Sequence, residues 1–314
     1  MFSFENEIVM KYILLGCTLF WCNILQAQEA PPFFDSLHIV SSTAGLNRID
    51  ARFAFTEGPV ADRQGRVYFT DQPNNRIWRY NLDGGLTEFK RESGRANGLD
   101  IDRQGNIIAC ADENDELWSI TPDGRVTVLL GKVDGKKLNG PNDLWIDKKG
   151  GIYFTDPYYQ RDYWTRKQPD MKGQYVYYLP KGATQPVVVS DELVKPNGIT
   201  GSADGKHLFV ADIGDNKTYK FTINANGSLS NKKLFVPKGA DGIVLDEKGN
   251  LYLTKGGITV YNPTGVKIAY IPVPEETSNI CFGGAQKNIL FITARTSVYF
   301  VPMNVKGQQA VQGK

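Results

Sequence analysis

Six positions of this 314-residue chain carry an oxygen-bearing side chain in the same local setting: Glu57, Asn97, Asn142, Asn197, Asp241 and Asn279. Each opens a stretch of one design: "EGPVADRQGRVYFTD", "NGLDIDRQGNIIACAD", "NDLWIDKKGGIYFTD", "NGITGSADGKHLFVAD", "DGIVLDEKGNLYLTK" and "NICFGGAQKNILFITA". None of the six is His or Cys, so if they converge they offer amide and carboxylate oxygens alone. That donor set suits a hard divalent cation, calcium before magnesium, zinc or manganese. Glu57 and Asp241 would offset the double positive charge, and amides would fill the remaining positions. A plainer explanation competes, because Asn and Asp favour turns ahead of Gly. It covers Asn97, Asn197 and Asp241, fits Asn142-Asp143 in part, and fits Glu57-Gly58 badly. The expected metal ligands are therefore Glu57, Asn142, Asn197 and Asp241, with Asn97 and Asn279 lining the pocket around them.

For such residues to meet, the chain must bring distant segments to one axis. The six copies are spaced by 40, 45, 55, 44 and 38 residues. Within each, an apolar stretch, a Gly-containing turn such as "DRQG" or "DEKG", and an aromatic or β-branched run spell a β-hairpin. Between copies lie further strand-like pieces, among them "RIWRYNL", "ELWSITP", "YVYYLP", "TYKFTI" and "ITVYNP". Units of this length with about four antiparallel strands, repeated six times, predict an all-β six-bladed β-propeller with a central metal site. A single domain over residues 28–314 is expected. The segment "DSLHIVSSTAGLNRIDARFAF" is expected to supply a strand that closes the ring against the last blade, and equivalent positions of the blades then form a ring around the axis.

Composition narrows the function. The formal charge is +2 with 22% charged residues, so nothing points to nucleic acid or an anionic membrane. The only histidines, His38 and His207, fall in the presumed closing strand and in a turn, which argues against a Ser-His-Asp triad. At the N-terminus, Lys11, an apolar run from Tyr12 to Leu25 and the small-residue end Gln26-Ala27-Gln28 read as a removable signal peptide over residues 1–27, with Met10 as a candidate start. Export to the periplasm or outside follows, and lipid attachment at Cys17 is the lesser alternative. No transmembrane segment is expected. Beyond the leader, Cys110 and Cys281 sit in apolar runs and read as small buried hydrophobes. Glu275 and Glu276 belong to a solvated loop or border the pocket.

From Phe53 to Val301 the motifs "EGPV", "LNGPNDLWIDKKGGIYFTDPYY", "PNGI", "ADGIVLDEKGNLYLT" and "NICFGG", in this order, resemble the gluconolactonase, regucalcin (senescence-marker-protein) and luciferin-regenerating-enzyme-like family, with bacterial gluconolactonase-like proteins nearest. The resemblance implies a six-bladed propeller with one axial divalent cation. It places metal-binding roles on Glu57, Asn197 and Asp241, and a metal- or substrate-binding role on Asn142. Two departures lie where substrate would be held: Gly140 stands where animal members carry Arg, and Ala111-Asp112 stands where bacterial members often carry Glu-His. The implied activity is metal-dependent opening of a lactone ring, a sugar lactone first, with Asp241 as general base or nucleophile. Asn142 and Asn97 would orient substrate, and Asp156 or Tyr158 would line the mouth. Alternatives are an aryl-ester or organophosphate hydrolase at the same site, and a calcium-stabilised binding propeller without turnover. The insertion "QRDYWTRKQPDMKGQ", which lengthens the third spacing, is expected to overhang the site.

Overall fold

The computed structural model describes residues 31–41 and 45–308. The expected leader, Met10 and Cys17 lie outside the described residues. From Pro31 onward the chain forms one compact unit. It holds no helix among the described residues, so none is long and apolar enough to cross a membrane.

The "DRQG" and "DEKG" turns work by one device. In the first blade Asp62 Oδ1 accepts hydrogen bonds from the backbone N–H groups of Gly65 (2.9 Å) and Arg66 (3.0 Å). Asp102, Asp147 and Asp246 do the same in their blades. The glycine of each turn adopts a left-handed conformation, with φ 96° at Gly65, which only glycine takes without strain. Each turn joins an inner strand antiparallel to the next. Six sheets result; four of them have four strands in consecutive order from the axis outward, and the other two each take a strand from the N-terminal segment. The innermost strands are Thr56–Ala61, Ala96–Ile101, Leu144–Ile146, Pro196–Gly201, Ile243–Leu245 and Thr277–Gly283, one for each of the six repeats.

The N-terminal segment serves two blades. Asn47–Asp50 pairs antiparallel with Ser297–Pro302 and becomes the outermost strand of the sixth blade, as the closing strand was expected to do. Phe34–Asp35 adds a fifth strand to the fifth blade by pairing with Tyr270 and Ala269. His38 falls between the two, in a turn with φ 51°, and belongs to no strand. His207 is the first residue of the strand His207–Asp212 instead of part of the turn.

The apolar faces are buried between blades. Six clusters of buried hydrophobic residues each bridge two neighbouring blades. One joins Ile108, Cys110 and Leu117 of the second blade to Leu144, Phe154 and Tyr177 of the third. Large aromatics such as Phe69, Tyr153, Phe154 and Phe291 are fully buried, each contributing about 1.5–3 kcal/mol by the usual area relation. Cys110 and Cys281 are both free and buried, in different blades.

One residue type ties the blades to the axis. The threonine of "FTD" in one blade donates to the backbone of the next blade's ring residue: Thr70 Oγ1 to the Asn97 carbonyl (3.1 Å) and Thr155 Oγ1 to the Asn197 carbonyl (2.7 Å). Gly98 N–H donates to the Asn142 carbonyl at 2.8 Å. At this depth the inner strands leave no space for side chains on certain residues. Gly58 has φ +45°, and a Cβ there would lie 2.1 Å from the Asn97 carbonyl oxygen. Replacing Gly58 with Ala is expected to destabilise the fold by on the order of 3 kcal/mol or more, from strain plus overpacking. Urea unfolding of the variant beside the parent chain would read it.

Candidate metal and catalytic site

The repeat positions come together where the inner strands begin. Glu57, Asn97 and Asn197 are almost fully buried, at 4%, 3% and 2% exposure, while Asp241 is half-buried. Glu57 Oε2 accepts from the Gly58 N–H (2.9 Å) and from Asn279 Nδ2 (3.2 Å). Asn197 donates through Nδ2 to the Tyr159 hydroxyl at 3.1 Å, and a hydrogen bond from Asn197 also steadies the Asp241 carboxylate.

The electrostatics of the group are unbalanced. Burial pushes the Glu57 carboxyl well above its ordinary range, and the neighbouring Asp241 charge pushes it further. Burial raises Asp241 as well, against the pull of Asn197. Among the described residues neither carboxylate forms a salt bridge. A buried pair of like charges without a cationic partner is costly. Asn97 Oδ1 adds a buried carbonyl oxygen with no hydrogen-bond partner, and no side-chain hydrogen bond joins Asn142 to the described residues. Two acidic groups and two uncommitted amides are a donor set short of positive charge, and a hard divalent cation fits it. Among the described residues no group of three or more His, Cys, Asp or Glu is placed to hold a metal.

Asn279 differs from the other ring amides. Its Nδ2 is given to Glu57 and its Oδ1 accepts from the Ile280 N–H at 2.8 Å, so both ends of the amide are committed. It positions Glu57 instead of offering an oxygen.

Two expected mouth residues prove to have other roles. Asp156 has no exposed surface and accepts from the backbone N–H groups of Asn139 (2.9 Å) and Gly140 (3.0 Å). Asp71 and Asp212 hold Ala54–Phe55 and Val194–Lys195 in the same way, so this aspartate fixes the segment entering an inner strand. Tyr158 turns its hydroxyl to Gln160 (2.6 Å) and stacks near Trp164. Its neighbour Tyr159 is the tyrosine that reaches the ring. The alternation of side chains in extended chain makes the two point apart, and no sequence signal sets the register of this loop.

Asp143 has no role among the sequence expectations, and Asp112 figures there only as a departure from the resembled motif. Asp143 follows Asn142 and is buried. Its carboxyl is raised to about 7, chiefly by burial, while it accepts from the Leu144 and Ile199 N–H groups and from Asn279. With Asp100 it lines an axial cavity of about 800 Å³ that takes in Asn279 but none of the other five ring residues and reaches Lys306 and Gln308. Asp112 anchors the insertion. Its Oδ2 accepts from Arg161 Nε (2.6 Å), Tyr163 OH (2.7 Å) and Gln72 Nε2 (3.1 Å). Arg166 pins the far side of the loop through Asp115 (2.6 Å). Gly140 makes room for this latch, since a Cβ there would lie 2.6 Å from Asp112 Oδ1. The two departures from the resembled motifs, Gly140 and Asp112, are thus in contact with each other.

Comparison with known proteins bears on the family and the fold. The family described as SMP-30/Gluconolactonase/LRE-like region matches residues 55–296. A gluconolactonase of Zymomonas mobilis is 28% identical over 302 residues, covering 85% of this chain and 83% of that protein. The solved gluconolactonase of Xanthomonas campestris is 25% identical with a TM-score of 0.79, covering 88% of this chain and 99% of that one. A regucalcin of Agrobacterium tumefaciens, described as calcium-binding, shares the fold at 19% identity and a TM-score of 0.70, over 84% of this chain and 95% of that one. With a match across most of its propeller, this chain belongs to the SMP-30/gluconolactonase/LRE-like family.

Proposed function

We propose that this chain is a divalent-metal-dependent hydrolase that opens a lactone ring, a sugar lactone first among candidates. Relatives named gluconolactonase and lactonase support lactone hydrolysis. The observation that carries the metal dependence is the Glu57–Asp241 pair, two mutually repelling carboxylates that form no salt bridge among the described residues, with the pull of Arg161 on Asp241 opposing the repulsion.

Glu57, Asn142, Asn197 and Asp241 would hold the cation. When bound, it supplies polarisation of the lactone carbonyl and stabilisation of the charge that develops on its oxygen. Asp241, mostly buried but still reached by solvent and raised towards neutrality, takes the proton of the attacking water. Asn197 holds Asp241 on one side and Tyr159 on the other, so the base and the mouth share one support. Asn97 turns its free carbonyl oxygen to the substrate hydroxyls. Asp156 keeps the Asn139–Gly140 entry segment in place just ahead of Asn142.

A panel of sugar lactones and aryl esters, assayed with calcium and with chelator, tests the proposal. A lactone rate that chelator abolishes is expected. Rates indifferent to chelator would remove the metal, and turnover of aryl esters alone would move the substrate class. Replacing Tyr159 with Phe removes one hydroxyl partner of Asn197 and is expected to lower kcat/KM by up to about tenfold. Tyr158→Phe is expected to stay within about twofold, because its hydroxyl bonds only Gln160. Steady-state kinetics of the two variants side by side distinguish the tyrosines.

A further inference from the structure

The mouth of the site carries a cation without an acidic partner. Lys195 lies in the bend that leads into the inner strand Pro196–Gly201, two residues before Asn197. Its backbone N–H is held by Asp212 Oδ1 at 2.8 Å, so its origin is fixed. The ammonium sits 3.7 Å from the centre of the Tyr159 ring, the ring whose hydroxyl bonds Asn197. On the same ring, 5.5 Å from its centre, lies the Arg161 guanidinium.

Their situations differ. Arg161 is neutralised by the Asp112 carboxylate at 2.6 Å. Lys195 forms no salt bridge among the described residues. The nearby Glu276 carboxylate is exposed and occupied by the Gly256 N–H at 2.9 Å. One half-buried positive charge therefore faces the mouth, an aromatic ring away from the ligand ring.

We propose that Lys195 is a specificity residue that binds a carboxylate on the substrate, so that the preferred lactone is that of a dicarboxylic sugar acid. This rests on the lactonase reading above and narrows its substrate class. A single ammonium without converging backbone N–H groups suits a monoanionic carboxylate better than a phosphate dianion, which calls for several donors.

The test compares two lactones that differ only at C6, D-glucono-1,4-lactone and D-glucaro-1,4-lactone, on the calcium-loaded protein. The carboxylate-bearing lactone is expected to have a kcat/KM roughly ten- to a hundredfold higher, expressed mainly in KM. Lys195→Met is expected to shrink that ratio about tenfold or more, and Lys195→Arg to keep most of it. Equal constants for the two lactones, or a ratio that Lys195→Met leaves untouched, would overturn the inference. So would a larger preference for 6-phospho-D-glucono-1,4-lactone. A binding arm decides the matter independently of turnover: calorimetry with D-glucarate and D-gluconate should show tighter binding of the dicarboxylate, lost in Lys195→Met. If no lactone is hydrolysed but that difference appears, the hydrolase reading falls and the carboxylate site stands; equal binding of the two acids overturns the site.

Discussion

Asp241→Asn is expected to lower kcat on a turned-over lactone by about 10²–10⁴-fold, the usual contribution of a positioned proton acceptor. The amide keeps the size of the side chain and an oxygen but cannot accept a proton from water. Its effect on stability should run the other way in the absence of metal. Glu57 and Asp241 repel one another in a buried setting, and removing one charge relieves that repulsion. Chelated Asp241→Asn protein should therefore melt no lower than chelated parent. With calcium added, the parent should gain thermal stability and the variant should gain much less. A variant that keeps its full rate would sink the assignment of Asp241 as base. A variant that keeps its full calcium response would remove it from the ligand set.

The second large effect is a pH dependence whose direction reverses with calcium. Burial raises Asp100 to about 6, and Asp143 and Asp156 to about 7, above the ordinary aspartate value. A carboxyl whose pKa rises on folding binds its proton more tightly in the folded state. That contribution is complete below the unfolded value near 4 and is lost as pH passes the folded value near 6 or 7. Chelated protein should accordingly be more stable at pH 5.5 than at pH 8. A cation prefers ionised ligands, and the ligand Asp241 is itself raised to about 7, so the cation's stabilisation should grow over the same interval, reaching about 2.7 kcal/mol at a hundredfold excess over Kd. Thermal melts at several pH values, with calcium and with chelator, give both curves. A calcium shift that is flat with pH would contradict the picture.

Much of the architecture was legible because each repeat repeats its physics. The Asp-x-x-Gly turns and the alternating aromatic runs are local, and the closing strand announced itself as an unpaired apolar piece ahead of the first copy. Glu57 stood out because a turn preference does not explain it. What stayed hidden depends on contacts between segments far apart in the chain. Asp156 and Tyr158 share the motif "FTDPYY", and only the fold reveals that Asp156 is spent on the Asn139–Gly140 backbone while Tyr159 reaches Asn197. Asn97 and Asn279 read alike in sequence, yet Asn279 has both ends of its amide bonded and Asn97 keeps a free oxygen. Asp112 could be seen as a departure from the resembled motif, but its partner Arg161 lies 49 residues away.

Ring closure by Asn47–Asp50 against Ser297–Pro302 sets the order of events on the ribosome. Asn47–Asp50, made early, must wait for Ser297–Pro302, because most of the described chain separates them. Bringing such distant ends together carries an entropic cost that grows with the logarithm of the separation, and contacts of this range slow folding. Blades one to five can assemble before Ser297–Pro302 has been made, but the sixth remains an open edge until that strand is present. Ring closure is therefore a late step of folding, and a product truncated before Ser297 would lack the surface on which Asn47–Asp50 must dock.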